Sequence, residues 1–282
     1  MNKVISEAAG YLVAIGGAED KEFEMEILGR VLALAPDDHT EVAVIVTASG
    51  VPEEVFPTYE AAFTQLGATA VHALDLRDRN DASDPEHIAT IQRCGVIFFS
   101  GGDQMRLTNV LGGSPALEAI RQRYQEGAVV AGTSAGAVAL PTAIIYGDGS
   151  VDALHRGGVQ MGAGLGFVEG LLIDSHFLER GRFTRLMEAG ATNPEYLGVG
   201  LGEDAGVIIH GNRILEAIGP GHVILVDNRG LASTNVAEIS NGDPVALENV
   251  VMHALISGHG FVIDERKYLN PQALAESVGG AS

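Results

Sequence analysis

Residues 129–137 read Val-Val-Ala-Gly-Thr-Ser-Ala-Gly-Ala, a short apolar run that leads into a Gly-x-Ser-x-Gly motif centred on Ser134. In such a nucleophile elbow a strand enters a helix through a turn so tight that only glycine fits beside the serine. The turn exposes the serine hydroxyl, and the N–H of Ala135 is available to a developing oxyanion. An ordinary strand-to-helix turn with a capping serine has the same composition. The motif alone therefore leaves both interpretations open.

A reactive serine requires a base, and the base requires a group that fixes its tautomer. Among nine histidines, His176 stands out because it follows the short apolar run 171–173 and so lies at the carboxyl end of a predicted strand. His155, in a glycine-rich stretch, remains a second candidate base. A helix start capped by neighbouring polar residues is the structural alternative for the His176 segment.

The orienting acid has three candidates in the sequence. Glu203 follows the apolar run 197–201, which is the next predicted strand after His176. Asp204 and Asp174 are the alternatives. Because Glu203 comes at the end of its own strand, it is the preferred orienter. The resulting order of Ser134, His176 and Glu203 differs from the orders of α/β-hydrolases, chymotrypsin and subtilisin.

Basic residues are scarce in this chain, which has 17 Lys and Arg against 37 Asp and Glu. Arg180, Arg182 and Arg185 nevertheless fall within six positions. Arginine clusters bind carboxylates and phosphates through paired hydrogen bonds. The cluster indicates an anion site next to His176, although a solvated helix face is the alternative.

The elements that position these residues follow from hydrophobic periodicity. Short apolar runs alternate with segments of helical spacing through the first half of the chain. The predicted strands are 11–15, 42–46, 71–74, 96–99 and the run before Ser134, and the predicted helices are 22–35, 53–66, 87–93, 103–111 and 115–125. This alternation predicts an α/β fold, a mostly parallel, doubly wound sheet with helices on both faces.

In such sheets the ligand site lies beyond the carboxyl ends of the strands. Four loops should meet there, namely Gly16-Gly17, 47–49, 101–104 and the Ser134 elbow. The two glycine pairs suggest backbone N–H groups that come close to a ligand. Gly101 or Gly102 is the predicted second oxyanion donor beside Ala135.

Beyond residue 140 the pattern changes. Residues 144–166 are glycine-rich and predicted to be irregular. Three antiparallel strands are predicted at 205–210, 213–218 and 222–227, joined by hairpin turns at 211–212 and 219–221, and a further strand at 249–256. Since no linker, repeat or low-complexity block interrupts the chain, we expect one domain over residues 1–282.

Composition excludes several classes of protein. A net charge of −20 argues against a nucleic-acid-binding surface, and the absence of 18 consecutive apolar residues argues against a membrane span. Met1–Glu7 has no signal-peptide pattern, so we expect a cytoplasmic protein. The single cysteine, Cys94, excludes an intramolecular disulfide and is predicted to be a small buried hydrophobe.

Five motifs in order identify a resemblance. They are Gly-Gly-Ala-Glu-Asp-Lys at 16–21, Gly-Gly-Asp-Gln at 101–104, Gly-Thr-Ser-Ala-Gly-Ala at 132–137, Ile-Asp-Ser-His-Phe at 173–177 and Gly-Glu-Asp at 202–204. Together they resemble those of cyanophycinases, serine peptidases related to aspartyl dipeptidase on a fold similar to the class I glutamine amidotransferases. The resemblance extends over nearly the whole chain.

The resemblance implies a substrate and roles for individual residues. Cyanophycin is a poly-aspartate chain with arginine joined to each side-chain carboxyl, and cyanophycinases release β-aspartyl-arginine dipeptides from its end. Ser134 corresponds to the nucleophile, His176 to the base and Glu203 to the orienting acid. The implied substrate-site residues are Asp103, Gln104, Asp174, Ser175, Arg180, Arg182 and Arg185. The family also implies a cytoplasmic homodimer that uses no metal or other cofactor.

Two positions depart from the family pattern. Ser175 occupies a position where glutamine is common, and a serine cannot make the same amide contacts. Gly202 replaces an acid of many relatives. The alternatives to a polymer-degrading peptidase are a dipeptidase for small aspartyl or isoaspartyl peptides and a non-catalytic binding protein with this fold. A glutaminase is excluded because amidotransferases of this fold use cysteine.

Overall fold

The computed structural model of the protein describes residues 10–36, 40–147 and 154–279. The N-terminal segment Met1–Glu7 and the middle of the 144–166 region lie outside the described residues. No helix in the described part of the chain is both long enough and apolar enough to span a membrane.

The first half of the chain alternates strands and helices as the periodicity predicts. Its elements are β1 (Leu12–Ile15), α1 (Glu26–Ala33), β2 (Glu41–Ile45), α2 (Pro52–Gln65), β3 (Ala70–Leu74), a short 3₁₀ helix (Asp81–Ser83), α3 (Pro85–Arg93), β4 (Val96–Phe99), α4 (Gln104–Leu111), α5 (Pro115–Gln125), β5 (Val129–Thr133) and α6 (Ala135–Ala139).

The second half is dominated by strands. Its elements are β6 (Ala143–Tyr146), β7 (Gln160–Ala163), β8 (Leu171–Asp174), α7 (Phe183–Thr192), β9 (Leu197–Leu201), β10 (Gly206–His210), β11 (Ile214–Ile218), β12 (Val223–Asp227), β13 (Ser233–Thr234), β14 (Leu247–Glu248), β15 (Val251–Leu255), β16 (Gly260–Val262), β17 (Lys267–Leu269) and α8 (Pro271–Gly279).

Nine strands form the main sheet in the order β17-β16-β11-β10-β1-β5-β4-β2-β3. The strands from β1 to β3 in this order are parallel, and those from β17 to β1 are antiparallel. Side chains of α1 and α2 pack on one face, and side chains of α3 to α6 pack on the other. The predicted α/β fold with parallel strands between helices and additional antiparallel strands is confirmed.

A second, four-stranded sheet has the order β15-β12-β9-β8 and packs against the main sheet. Alternate residues of its strands, such as Val199 and Leu225, share one core cluster with Val207 and Leu215 of the main sheet. Residues of the opposite face, such as Ile224, pack with α7. The strands β8 and β9 are parallel, so the residues that follow them emerge at one end.

The turn at 219–221 is not the hairpin that the sequence predicts. β11 pairs with β10 and β16 in the main sheet, whereas β12 pairs with β9 and β15 in the second sheet. The connection crosses between sheets and packs on the Glu203–Asp204 loop, because the Gly221 N–H donates to the carbonyl of Asp204 at 2.9 Å. Two apolar strands joined by a glycine turn fit a hairpin and a crossing equally well in sequence.

Two other local predictions also require correction. The helix predicted at 22–35 begins only at Glu26, because the Asp20 carboxylate accepts hydrogen bonds from the N–H groups of Glu22, Phe23 and Met25. These bonds lower the pKa of Asp20 to about 2 and hold the segment as a loop. The region predicted to be irregular contains the antiparallel pair β6 and β7.

Cys94 lies just before β4 and is completely buried, as the sequence predicts. Burial raises the pKa of its thiol to about 12, so the thiolate that would act as a nucleophile does not form near neutral pH.

Candidate active site

The nucleophile elbow is present and strained. Ser134 connects β5 to α6 with φ 51° and ψ −115°, a conformation that non-glycine residues rarely adopt. A Cβ atom on Gly132 would lie 2.5 Å from the Gly136 carbonyl carbon, and one on Gly136 would lie 2.4 Å from the Phe99 carbonyl oxygen. The two glycines of the motif are therefore required by backbone contacts on both sides of Ser134. Such strain at one serine is typical of functional sites.

Ser134, His176 and Glu203 form a continuous chain of hydrogen bonds. Ser134 Oγ lies 3.0 Å from His176 Nε2, and His176 Nδ1 lies 2.7 Å from Glu203 Oε1. The imidazole is mostly buried, whereas the Glu203 side chain is 42% exposed. This geometry allows the imidazole to accept the serine proton while the carboxylate holds the opposite ring N–H.

The three residues come from different strands. Ser134 follows β5 of the main sheet, while His176 and Glu203 follow β8 and β9 of the second sheet. His176 also has a positive φ of 48°, and its neighbour Phe177 is buried against Gly200. A Cβ on Gly200 would lie 2.4 Å from that phenyl ring. The packing of Phe177 therefore fixes the backbone from which His176 projects.

The other predicted candidates have different partners. Asp204 Oδ1 accepts a hydrogen bond from the Asp20 N–H at 3.2 Å, and Asp174 forms ion pairs with two arginines. His155 forms a β-bridge with Pro244. Among the described residues, His176 is the histidine within hydrogen-bond distance of Ser134, and Glu203 is the acid within that distance of its second ring nitrogen.

The glycine pair after β1 uses three of its backbone groups for hydrogen bonds within the protein, including the Gly16 N–H. The Gly16 N–H donates to the Ala205 carbonyl at 2.8 Å, and the Gly16 carbonyl accepts from the His176 N–H at 2.9 Å. The Gly17 carbonyl accepts from the Asp204 N–H at 3.0 Å. This pair therefore joins the His176 and Glu203 loops to β1.

The second glycine pair lies where the sequence predicts. The position of a Cβ on Gly101 would be 3.7 Å from Ser134 Oγ, and Gly102 lines the cavity in front of Ser134. Neither glycine N–H donates to another group in the described part of the chain. Because α6 is only five residues long, individual N–H groups rather than an extended helix dipole are the donors available here.

A cavity of about 350 Å³ opens beside Ser134, and we call it the Ser134 cavity. All seven predicted substrate-site residues line it: Asp103, Gln104, Asp174, Ser175, Arg180, Arg182 and Arg185. Two of them also have structural contacts. Asp103 caps α4 through the Met105 N–H, and the Gln104 amide donates to the Ile145 carbonyl.

Asp174 organises the arginines of this cavity. Its Oδ1 lies 2.9 Å from Arg182 Nη1, and its Oδ2 lies 3.3 Å from Arg185 Nε. Burial raises the pKa of the Asp174 carboxyl, and the two guanidinium groups oppose that rise. Arg180 is exposed, and its guanidinium has no hydrogen bond or ion pair within the described ranges. The cluster thus keeps a net positive charge facing the cavity.

The sequence did not indicate one important buried group, Glu19. It is 3% exposed and lies directly beneath the elbow. Its Oε2 accepts from Thr133 Oγ1 at 2.6 Å, and its Oε1 accepts from the Tyr59 hydroxyl at 2.6 Å and lies 3.1 Å from Lys21 Nζ. Burial, with this carboxylate alongside, raises the pKa of Tyr59 well above its ordinary value, so the phenol remains a donor. Nothing in the spacing of these residues predicts the contact.

Another group has metal-ligating side chains at the opposite end of the sheet. The ligand atoms of Glu41, His72 and Cys94 lie within 4.8 Å of one another. However, the Glu41 carboxylate already contacts His72 Nε2 at 2.7 Å and Arg93 Nε at 3.1 Å. The raised pKa of Cys94 also disfavours the thiolate that a metal would need. The cluster is explained as an ion-paired network.

Three comparisons relate this chain to known proteins. The model of the family described as Peptidase family S51 matches residues 12–217. A cyanophycinase of Geminocystis herdmanii is 38% identical over 250 residues, which are 88% of this chain and 91% of that protein. A cyanophycinase of Trichormus variabilis is 35% identical over 259 residues, which are 92% of this chain and 87% of that protein.

The fold also occurs in a solved structure. The crystal structure of a peptidase from an acI-B1 Actinobacterium superposes with a TM-score of 0.65 at 20% identity, covering 90% of this chain and 96% of that chain. At this identity the likeness concerns the fold alone.

We predict that Gly17→Ala impairs Ser134, whereas Gly67→Ala does not. Both glycines have φ near +100°, where alanine costs about 1–2 kcal/mol. A Cβ on Gly17 would lie 2.4 Å from His176 Cε1, whereas one on Gly67 would have no heavy atom within 4 Å. Both variants should lose stability in urea, Gly17→Ala by more because His176 must shift, but only Gly17→Ala should slow phosphonylation of Ser134 by a fluorophosphonate. Equal labelling rates would contradict the steric role of Gly17.

We also predict that Thr133→Val lowers the unfolding free energy, whereas Thr47→Val does not. Thr133→Val leaves the buried Glu19 Oε2 without its donor and should cost about 1–3 kcal/mol of unfolding free energy. Thr47 is likewise buried, but its hydroxyl has no hydrogen-bond partner among the described residues, so Thr47→Val should be neutral or stabilising. Urea unfolding measures both. Thr133→Ser, which keeps the hydroxyl, should remain close to wild type, and a stability loss equal to that of Thr133→Val would argue against the Glu19 contact.

Proposed function

The chain belongs to peptidase family S51, and we propose that it acts as a serine exopeptidase on cyanophycin, releasing β-aspartyl-arginine dipeptides. The observation that carries the proposal is the Ser134–His176–Glu203 hydrogen-bond chain beside a cavity lined by three arginines. Similarity to cyanophycinases along about nine-tenths of the chain supports the choice of substrate.

In the proposed mechanism Ser134 Oγ attacks the aspartyl carbonyl carbon while His176 Nε2 accepts the serine proton. The Glu203 carboxylate holds the Nδ1–H and stabilises the imidazolium that forms. His176 then donates the proton to the leaving amine, and the C–N bond breaks to give an acyl-enzyme. Water, deprotonated by His176, attacks the ester and restores Ser134.

The oxyanion that forms in both steps needs donors already in place. We assign the Ala135 N–H as the first donor, since it follows the nucleophile directly. The N–H of Gly101 or Gly102 is the second. The absence of other acceptors for these two glycine N–H groups in the described chain supports that assignment.

Each unit of cyanophycin carries a carboxylate and a guanidinium group. We assign the carboxylate to Arg180, because this guanidinium lines the cavity while Arg182 and Arg185 are paired with Asp174. Arg182 and Arg185 contribute positive potential and hold the wall that contains Ser175. Asp103 and Gln104 also line the cavity, and the Asp103 carboxylate is an acid available to a guanidinium.

The decisive experiment is incubation of the purified protein with cyanophycin and mass analysis of the products. We expect β-aspartyl-arginine from the wild type, and a loss of about 10⁴-fold or more in kcat/KM for Ser134→Ala. The variant should unfold at the wild-type urea concentration, because the hydroxyl contributes to chemistry rather than to packing. Folded wild-type protein that releases no dipeptide, or Ser134→Ala with substantial turnover, would refute the proposal. Cleavage of short aspartyl peptides alone would favour a dipeptidase.

We further propose that residues 1–282 form one domain that works in the cytoplasm as a homodimer. The resemblance to cyanophycinases supports all three points. A surface feature also supports association: strand β15 is at the edge of the second sheet and exposes Val251 and Met252, and Ile256 beyond its end is 49% exposed. Apolar edges of this kind are typical of contact surfaces.

Light scattering tests the dimer directly. The wild type should have about twice the chain mass of 29.4 kDa. Met252→Lys places a charge on the β15 edge and should shift the mass towards one chain. Phe23→Lys changes a side chain that is 82% exposed on a loop, and should leave the mass unchanged. A dimer that survives Met252→Lys would place the interface elsewhere.

A further inference from the structure

A second cavity lies next to the Ser134 cavity along α7, and it contains an unusual buried acid. Glu188 is 3% exposed, and its Oε1 accepts a hydrogen bond from the Val159 N–H at 3.0 Å. Its Oε2 is buried and has no hydrogen-bond partner among the described residues. Leaving a buried carboxylate oxygen without a donor is costly, so such an atom calls for an explanation.

The cavity that Glu188 lines has a volume of about 180 Å³, and we call it the Glu188 cavity. Pockets for drug-sized ligands measure roughly 300–1,000 Å³, so this one has room for a single side chain. Its lining combines Glu188 and one base, Arg156, with the polar side chains of Thr192 and Asn241 and with apolar residues. The apolar lining residues are Val159, Met161, Ala189 and Val236.

Residues of α7 and of the paired strands β6 and β7 line both cavities. Arg185 lines the Ser134 cavity, and Glu188 follows it by one turn on α7, where residues three apart lie about 5–6 Å apart between Cβ atoms. Tyr146 lines the first cavity from β6, and Met161 lines the second from the paired strand β7. The two cavities are therefore separated by about one turn of α7 and by the β6–β7 pair, a spacing that neighbouring units of one polymer chain can span.

We infer that the Glu188 cavity is a distal subsite for an arginyl unit of the polymer that is not being cleaved; this inference rests on the proposed function. The guanidinium donates to Glu188, the methylene stem packs on the apolar walls, and the arginyl carboxylate pairs with Arg156. Because the cavity offers both an acid and a base, it should favour an arginyl unit, which carries both charges, over a simple amine or anion. The subsite holds the polymer and takes no part in bond breaking.

The test compares KM and kcat on two substrates for the 282-residue chain. Glu188→Gln keeps the shape and removes the charge, and should raise KM for cyanophycin about tenfold. KM and kcat for a two-unit fragment whose uncleaved unit carries no arginine should remain at wild-type values, because this fragment has no side chain that can fill the Glu188 cavity. Arg156→Gln should raise the polymer KM in the same direction. Glu60→Gln, an exposed acid on α2, makes the same change in net charge and should have no effect.

The outcomes separate the subsite from the proposed function. Wild-type turnover of cyanophycin with unchanged KM in both Glu188→Gln and Arg156→Gln overturns the subsite and leaves the proposed function intact. Equal losses on polymer and fragment also overturn it, because they indicate a general effect on the fold. No turnover of either substrate by the wild type overturns both proposals. If Glu188→Gln does not fold, Arg156→Gln alone decides.

Discussion

The structure depends on one close contact between its two sheets, the backbone contact of Gly16 and Gly17 with the loops that follow β8 and β9. Ser134 belongs to the main sheet, whereas His176 and Glu203 belong to the second sheet. A Cβ on Gly16 would lie 1.9 Å from the Gly202 carbonyl oxygen, so any larger residue would separate these loops. The 3.0 Å and 2.7 Å hydrogen bonds of the site therefore require a residue without a side chain at position 16.

The same loop also supports the nucleophile from below. Glu19 lies two residues after Gly17, and its carboxylate accepts a hydrogen bond from Thr133, the residue before Ser134. Loop 16–20 is thus hydrogen-bonded to the base His176, to Asp204 next to the acid Glu203, and to Thr133 at the end of the nucleophile strand. This arrangement gives a physical reason for three strained residues, Ser134, His176 and Asp204, to hold positive φ angles in one small region.

Buried carboxylates serve different purposes in this molecule. Glu19 is fully bonded and rigidifies the elbow, while Asp174 is paired with Arg182 and Arg185 and orients the charged wall of the Ser134 cavity. Glu188 differs from both because its Oε2 has neither a hydrogen bond nor an ion pair among the described residues, whereas Asp174 Oδ2, which also lacks a hydrogen bond there, has Arg185 Nε at 3.3 Å. A buried carboxylate whose oxygens all have partners stabilises its surroundings, whereas a carboxylate in a cavity wall with an unpartnered oxygen can accept a hydrogen bond from a ligand. This contrast distinguishes structural acids from a binding group.

Much of the fold followed from local pattern. Four- and five-residue apolar runs set β1, β2, β4 and β5, and their order implied parallel strands with loops meeting at one end. Ser134, His176 and Glu203 each follow such a run, so their approach to one another could be expected. The start of α1 could not be expected from the sequence. The Asp20 side chain accepts hydrogen bonds from the N–H groups of residues that precede the helix, and so keeps them out of it. Nor could the separation of β11 from β12 be expected, since a glycine turn fits either path.

The sequence by itself determined which residues stand at strand ends, because burial periodicity is a property of the chain taken a few residues at a time. Only the tertiary structure decided which distant groups meet. The bond from Thr133 to Glu19 joins residues 114 positions apart, and the Gly16 contact with the His176 and Glu203 loops crosses between two sheets. Those pairings depend on how the sheets pack, and packing is decided by the whole core at once.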